Sequence, residues 1–226
     1  MDRFFLRCAI TDLLGSNDGP SGRAARQAQL QSDLLRWTSD GVNLIQLREK
    51  NLEPSEVFHL ARSAMNLLRD PGVPKPNGKR TRFLLNTRAD LAAAAGADGV
   101  HLTSRSGELL PDQVRAVFRS AGFEQCFVSM SCHSLPDVEF SCKGGADLIL
   151  FGPVFEKRVG GRVVVPGVGP SALRAAVERA GTTPLLALGG ISTPDVEACL
   201  QAGAAGVAGI RLFAGPGLTP GSTERS

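Results

Sequence analysis

Paired cysteines, long apolar runs and an excess of one charge are all missing from this chain of 226 residues. Its five cysteines, Cys8, Cys126, Cys132, Cys142 and Cys199, are odd in number and contain no C-x-x-C pair. They read as reduced thiols of a reducing compartment rather than as a disulfide framework or a zinc site. No apolar stretch reaches the length of a membrane span, and the start, Phe4-Phe5-Leu6, is cut by Arg7, so neither an anchor nor a signal peptide is expected. A formal net charge of +3, with Lys and Arg scattered, argues against nucleic acid or a membrane surface as partner. The expected setting is the cytoplasm. A homo-oligomer is compatible with the sequence.

What is present is a core-forming composition, 42% hydrophobic, cut into alternating short and long periodic segments. Apolar runs at 4–10, 42–47, 82–85, 99–102, 126–130, 147–151, 184–188 and 205–210 read as strands buried on both faces. Between them, 23–38, 54–68, 89–95, 111–120, 135–143 and 171–180 carry helical spacing, and Thr193 followed by Pro194 starts another helix as N-cap and first-turn residue. Eight strand–helix units imply a parallel sheet with right-handed crossovers and an α/β fold, a single (β/α)8 TIM barrel over residues 1–213. An open doubly wound sheet is the alternative, but it would carry its glycine fingerprint after the first strand, where this chain has Thr11-Asp12-Leu13-Leu14. The Gly/Pro-rich residues 214–226 read as a disordered tail, and the glycine-rich, basic 155–169 as a mobile loop. Gly-Ala recurs just before three of the strands, at Gly96-Ala97, Gly145-Ala146 and Gly203-Ala204, where the glycine stops the preceding helix.

In a barrel the residues at the C-terminal strand ends converge. Here they are polar and cationic. Gly189 and Gly190 end one strand, and Ile210 and Arg211 end the next, so open backbone N–H groups lie side by side as a phosphate cup. Two tight turns that need glycine for geometry alone are the plainer alternative. Arg48 and Lys50, two apart, suit a phosphate or carboxylate, or else form a solvated loop pair with Glu49. Gln46, Asn86, Ser131 and Gly152 complete the substrate-facing set. Of the three histidines, His59 falls on a helix, and His101 lies inside a strand and reads as a hydrogen-bonded core residue. His133, just past a strand and flanked by hydroxyls, is the candidate acid/base; an N-cap-region histidine is the competing reading. Cys132 adjoins it, but neighbours on a strand point apart, which disfavours a thiol–imidazole pair. Carboxylates are scarce at the strand ends, Asp12 and Glu49 being the main ones, so no metal ligand is assigned.

With those residues in view, the chain resembles the thiamine phosphate synthase and TenI superfamily of (β/α)8 barrels. The carriers are Gln46-Leu47-Arg48-Glu49-Lys50, Asn86, Ala97-Asp98-Gly99-Val100-His101-Leu102, Ser131-Cys132-His133-Ser134, Phe151-Gly152-Pro153-Val154-Phe155 and Leu188-Gly189-Gly190-Ile191. The resemblance implies a small phosphorylated thiazole as substrate. The synthase branch joins a pyrimidine diphosphate to a thiazole phosphate with magnesium; its Asn-Asp is Asn86-Thr87 here, its later Asp is missing from Thr103-Ser104-Arg105-Ser106, and its Thr-x-Thr-Lys loop is replaced by Glu156-Lys157-Arg158. The TenI branch of thiazole tautomerases is similar in Asn86-Thr87-Arg88-Ala89-Asp90 and in the run from Leu150 to Glu156, and there the histidine matching His133 shuttles a proton without a cofactor. A tautomerase is therefore the expected activity. A magnesium-dependent synthase and a catalytically silent thiazole- or thiamine-phosphate binder are the alternatives.

Overall fold

Each of the eight apolar runs forms a strand. The computed structural model describes residues 5–13, 20–75, 78–104, 107–159 and 162–214. The barrel strands are β1 (Leu6–Ile10), β2 (Leu44–Leu47), β3 (Arg82–Asn86), β4 (Gly99–Leu102), β5 (Phe127–Cys132), β6 (Leu148–Phe151), β9 (Leu185–Leu188) and β10 (Gly206–Gly209). All pair in parallel, in the order β1-β10-β9-β6-β5-β4-β3-β2, and β1 returns to β2 to close the ring. The helices are α1 (Pro20–Ser39), α2 (Pro54–Arg69), α3 (Ala89–Ala95), α4 (Pro111–Ser120), α5 (Leu135–Lys143), α6 (Gly169–Ala180) and α7 (Asp195–Gln201). The fold is the single (β/α)8 barrel that the alternation implies, and the open sheet is ruled out by closure. Among the described residues, β10 is followed only by a 3₁₀ turn, Arg211–Phe213.

The alternation of side chains along each strand separates two cores. Cys8, Ile10, Leu44, Leu84, Leu148, Leu150, Leu186 and Ala208 fill the barrel lumen. Their sequence neighbours, such as Ala9, Ile45, Phe83, Leu85, Val128, Ile149 and Val207, face outward against the helices. Leu30, Leu34 and Trp37 of α1 are buried as their spacing implies, but Leu35, one step around the helix, is 44% exposed. The ring is tied shut at its seam, where Trp37 Nε1 and Arg36 Nη1 both donate to the Phe213 carbonyl at 2.8 and 2.7 Å.

The recurring phrase before the strands has a physical use. Gly96 takes the left-handed conformation that ends α3 (φ 70°). Two residues on, the Asp98 carboxylate accepts the N–H of Phe83, the second residue of β3, at 2.8 Å and pairs with Arg80. Asp147 does the same for Val128 of β5 at 2.7 Å and pairs with Arg115. Each aspartate satisfies a strand-end amide that the ladder leaves open.

Two expectations change. Residues 155–169 are not a featureless loop: they carry an antiparallel hairpin, β7 (Lys157–Val159) and β8 (Arg162–Val165), whose Val163, Val164 and Val165 are exposed. The start of α7 is held by Ser192, whose backbone N–H and hydroxyl both donate to Asp195, and not by Thr193. Of residues 214–226, which read as a disordered tail, 215–226 lie outside the described residues. No helix among the described residues is long and apolar enough to cross a membrane.

Candidate active site

The C-terminal ends of the eight strands form one rim, and the inward parity of each strand decides which side chains reach it. On β5 that parity runs Ser129, Ser131, His133; on β4 it runs Gly99, His101; on β6, Leu148, Leu150, Gly152. His133 therefore inherits the lumen-facing side, while Cys132 points outward to Ser141 of α5, with Sγ and Oγ 3.1 Å apart. Burial pushes the Cys132 thiol up to about 11, so it is no nucleophile.

The imidazole of His133 is fixed through one nitrogen. Nδ1 is hydrogen-bonded to the Gly152 carbonyl. A carbonyl only accepts, so Nδ1 carries the proton and a neutral ring keeps Nε2 as a bare acceptor. Its backbone is held as well, because Asp137 Oδ2 accepts from the N–H of His133 (2.9 Å) and of Ser134 (3.0 Å). Ser134 in turn accepts from Asp137 N at 3.3 Å, which completes a capping box at the start of α5. The sequence Ser134-Leu135-Pro136-Asp137 thus delivers the histidine to the rim at a defined angle.

Beneath it lies a network that sequence spacing alone does not show. His101 is 3% exposed, and its two ring nitrogens meet Ser129 Oγ and Ser131 Oγ, both at 2.8 Å. Burial, and secondarily the positive charge of Arg48, lower its pKa to about 3, so it stays neutral. That places the Arg48 guanidinium near the lumen mouth. Gln46 Nε2 donates to Asn86 Oδ1 at 3.0 Å, while Gln46 Oε1 is buried and has no partner. Gln46, Arg48, Asn86, Ser131 and His133 are thus gathered on the β2–β5 side. Lys50 is exposed in the turn beyond β2. Between them Glu49 turns inward rather than joining a solvated loop pair: it accepts from Thr11 Oγ1 at 2.5 Å and from Leu13 N at 3.1 Å, and burial raises its pKa. Thr11 Oγ1 also accepts from Arg48 N at 3.0 Å, which sets the direction of the arginine.

The other half of the rim is backbone. Gly189 and Gly190 take φ of 92° and 66°, which favour glycine. The N–H groups of Gly189, Gly190, Ile210 and Arg211 have no backbone acceptor among the described residues. They are donors available to an anion, as the cup requires. The need for glycine has a second cause, however. A Cβ on Gly189 would lie 2.7 Å from Pro153, and one on Gly190 would lie 2.3 Å from the Phe155 carbonyl oxygen. It is the chain, not a ligand, that comes close there. Gly152 has a similar constraint, its Cβ position lying 1.9 Å from Leu188 O. Its carbonyl holds His133 and its N–H donates to Cys132 O, which makes it a support for the ring.

A cavity of about 420 Å³ opens beside Ile210, between α1 and the ends of β1 and β10, lined by Asp12, Arg26 and Arg36. Two others, of about 470 and 550 Å³, sit on the opposite face, where the strands begin, around Arg82 and Phe127. They hold none of the rim residues.

The donors at the rim fit magnesium poorly. Hard cations want carboxylate oxygens. Asn86-Thr87 offers an amide and a hydroxyl, Glu49 is committed to Thr11 and Leu13, and Glu108 accepts from Thr103 N and Oγ1 at 2.7 and 2.6 Å. No group of three His, Cys, Asp or Glu among the described residues is placed to hold a metal, and Arg105 and Ser106 lie outside them.

The family model described as thiamine monophosphate synthase matches residues 21–213. A putative thiamine-phosphate synthase 2 of Aquifex aeolicus is 34% identical, over 76% of this chain and 83% of that protein. The thiamine-phosphate synthase of Geobacillus thermodenitrificans is 32% identical over 92% of this chain and 85% of that one. Among solved structures, a thiamine phosphate pyrophosphorylase from Pyrococcus furiosus superposes with a TM-score of 0.68 at 24% identity, covering 95% and 90% of the two chains; this likeness speaks to the fold.

Proposed function

Because the chain belongs to the thiamine monophosphate synthase family, we propose that it is an enzyme of thiamine biosynthesis that acts on a phosphorylated thiazole, with His133 as its proton carrier. The observation that carries this is the hydrogen bond from His133 Nδ1 to the Gly152 carbonyl, which leaves Nε2 unprotonated at the mouth of the barrel. An imidazole so held can accept a proton at Nε2 and return it to a nearby atom.

The reaction that these residues suit best is aromatisation of a carboxylated thiazole phosphate. The phosphate rests on the N–H groups of Gly189, Gly190, Ile210 and Arg211. Arg48 clamps the carboxylate and offsets charge that develops on the ring. His133 Nε2 removes the proton from the ring carbon that bears the carboxylate, and the imidazolium then gives a proton to the exocyclic carbon. One proton leaves and one arrives, with no change in charge or oxidation state. Lys50, exposed beyond β2, contributes to the positive field at the mouth.

The second reading is the synthase itself, and the names of the relatives favour it. Against it stands the donor set at Asn86-Thr87 and Thr103, which offers little to a magnesium ion bound with a diphosphate. Two incubations separate the readings. The first supplies the non-aromatic tautomer of the carboxylated thiazole phosphate, with its exocyclic double bond, together with EDTA; the aromatic tautomer, its carboxylate retained, should accumulate. The second supplies thiazole phosphate and pyrimidine diphosphate with magnesium. Thiamine phosphate formed there, and abolished by EDTA, would overturn the tautomerase reading in favour of the synthase.

A further inference from the structure

We propose that segment 152–156 couples the phosphate cup to His133, so that an anion bound on the Gly189-Gly190 turn sets the orientation of the imidazole. This rests on the cup and the histidine as read above, but its test needs no turnover.

The segment is tied at both ends by backbone. At one end Gly152 N donates to Cys132 O at 3.1 Å, and Gly152 O accepts from His133 Nδ1. At the other, Val154 N donates to Leu188 O at 2.9 Å and Phe155 N to Gly189 O at 3.0 Å. Those two carbonyls belong to the peptide units whose N–H groups, on Gly189 and Gly190, are the open donors of the cup. A peptide unit is planar and rigid. An anion that accepts from the N–H side therefore turns and polarises the carbonyl that holds Val154 or Phe155. The outer side is closed by Val168 N on Pro153 O (3.0 Å) and Gly169 N on Val154 O (2.9 Å).

There is no slack to absorb a shift. A Cβ on Gly167 would lie 2.6 Å from Val154 O and from the Phe155 carbonyl carbon, so the segment is gripped between residue 167 and the glycine turn. Close-packed backbone moves as a unit. At the far end the backbone of His133 is already held by Asp137, so the ring's remaining freedom is governed by the Gly152 carbonyl.

The test is a titration of the ¹⁵N-labelled full chain with inorganic phosphate, following the Gly190 amide and the ring nitrogens of His133. The His133 signals are identified by their loss in His133→Asn. Both sets should move along one binding curve, with His133 in the Nδ1–H form throughout. Gly167→Ala presses on the segment from the side away from the cup and adds no charge. It should displace the His133 signals before phosphate is added and weaken phosphate about fivefold or more. A Gly190 amide that saturates while the His133 ring stays still, or an amide that does not respond, overturns the coupling. So does a folded Gly167→Ala protein with unchanged signals and affinity. If that variant does not fold, the titration of the unaltered chain decides alone. Loss of the proposed reaction with the coupling intact would discard the reaction and spare this inference.

Discussion

His101 should make the barrel sensitive to acid. Its folded-state pKa is lowered to about 3 from an ordinary 6.5, first by burial and then by Arg48. The sign follows from proton counting. Between these two values the unfolded chain binds a proton that the folded chain refuses, so stability falls as pH drops through 6.5 and goes on falling to about 3. At pH 5 the unfolded histidine lies one and a half decades below its pKa, which costs ~2 kcal/mol relative to pH 8, at ~1.36 kcal/mol per decade. The measurement is equilibrium urea unfolding at pH 8 and pH 5, on the unaltered chain and on His101→Asn. Asparagine can still donate to one of Ser129 and Ser131 and accept from the other, but it does not titrate. The variant should be less stable at pH 8, yet it should lose ~2 kcal/mol less on going to pH 5. Arg48→Met should narrow that gap only a little, since burial is the larger cause. Parallel losses in the two proteins would show that His101 is protonated in the folded barrel, and the account of the lumen network would fail.

Replacing His133 by Asn should lower turnover of the carboxylated thiazole phosphate by ~10²–10⁴-fold with little change in unfolding midpoint, as steady-state rates beside a melt would show. Cys132→Ala should leave that rate unchanged, and a thiol reagent should label neither Cys132 nor Cys8 in the native protein, because burial pushes the Cys8 thiol up to about 12. Glu56→Ala removes the carboxylate that pairs with the buried Arg26 guanidinium between α1 and α2 and should cost about 3 kcal/mol by urea unfolding, with Arg26→Met/Glu56→Leu recovering much of it. Thr87 holds φ at 61°, a conformation costly for a β-branched residue, so Thr87→Gly should stabilise the fold by about 1 kcal/mol in the same assay.

The barrel was legible because its signals are local and repeated. Strands buried on both faces read as unbroken apolar runs, and the Gly-Ala phrase marks where each helix stops. The hairpin of β7 and β8 was missed because Val163, Val164 and Val165 sit among glycines and pair with the polar run Lys157–Val159. Neither half alternates as a half-buried strand does. The site was legible in kind but not in connection. His133 could be placed from Ser131-Cys132-His133-Ser134, whereas the bond to Gly152 depends on how β5 and β6 pair, a register fixed across the whole barrel. Likewise the spacing of Ser129 and Ser131 by two is visible in the sequence, but not that His101 lies opposite Ser129 on β4. Gly189 and Gly190 carry a more general lesson. Residue type announces that something approaches the backbone closely, and not whether it is a ligand or, as here, Pro153 and Phe155.

The closure of the ring has a consequence for how the protein is made. β1 is made well before β10, its neighbour on one side, and must wait for it before the ring can close. Until then the growing chain is a curved open sheet with two bare edges, the kind of surface that pairs with other chains. The histidine end of the site, on β5 and β6, can form early. The open N–H groups of Ile210 and Arg211, and the Phe213 carbonyl that Trp37 and Arg36 grasp, arrive together just after β10. A nascent chain stalled before residue 206 would therefore hold His133 in place with only the Gly189 and Gly190 side of the backbone rim formed.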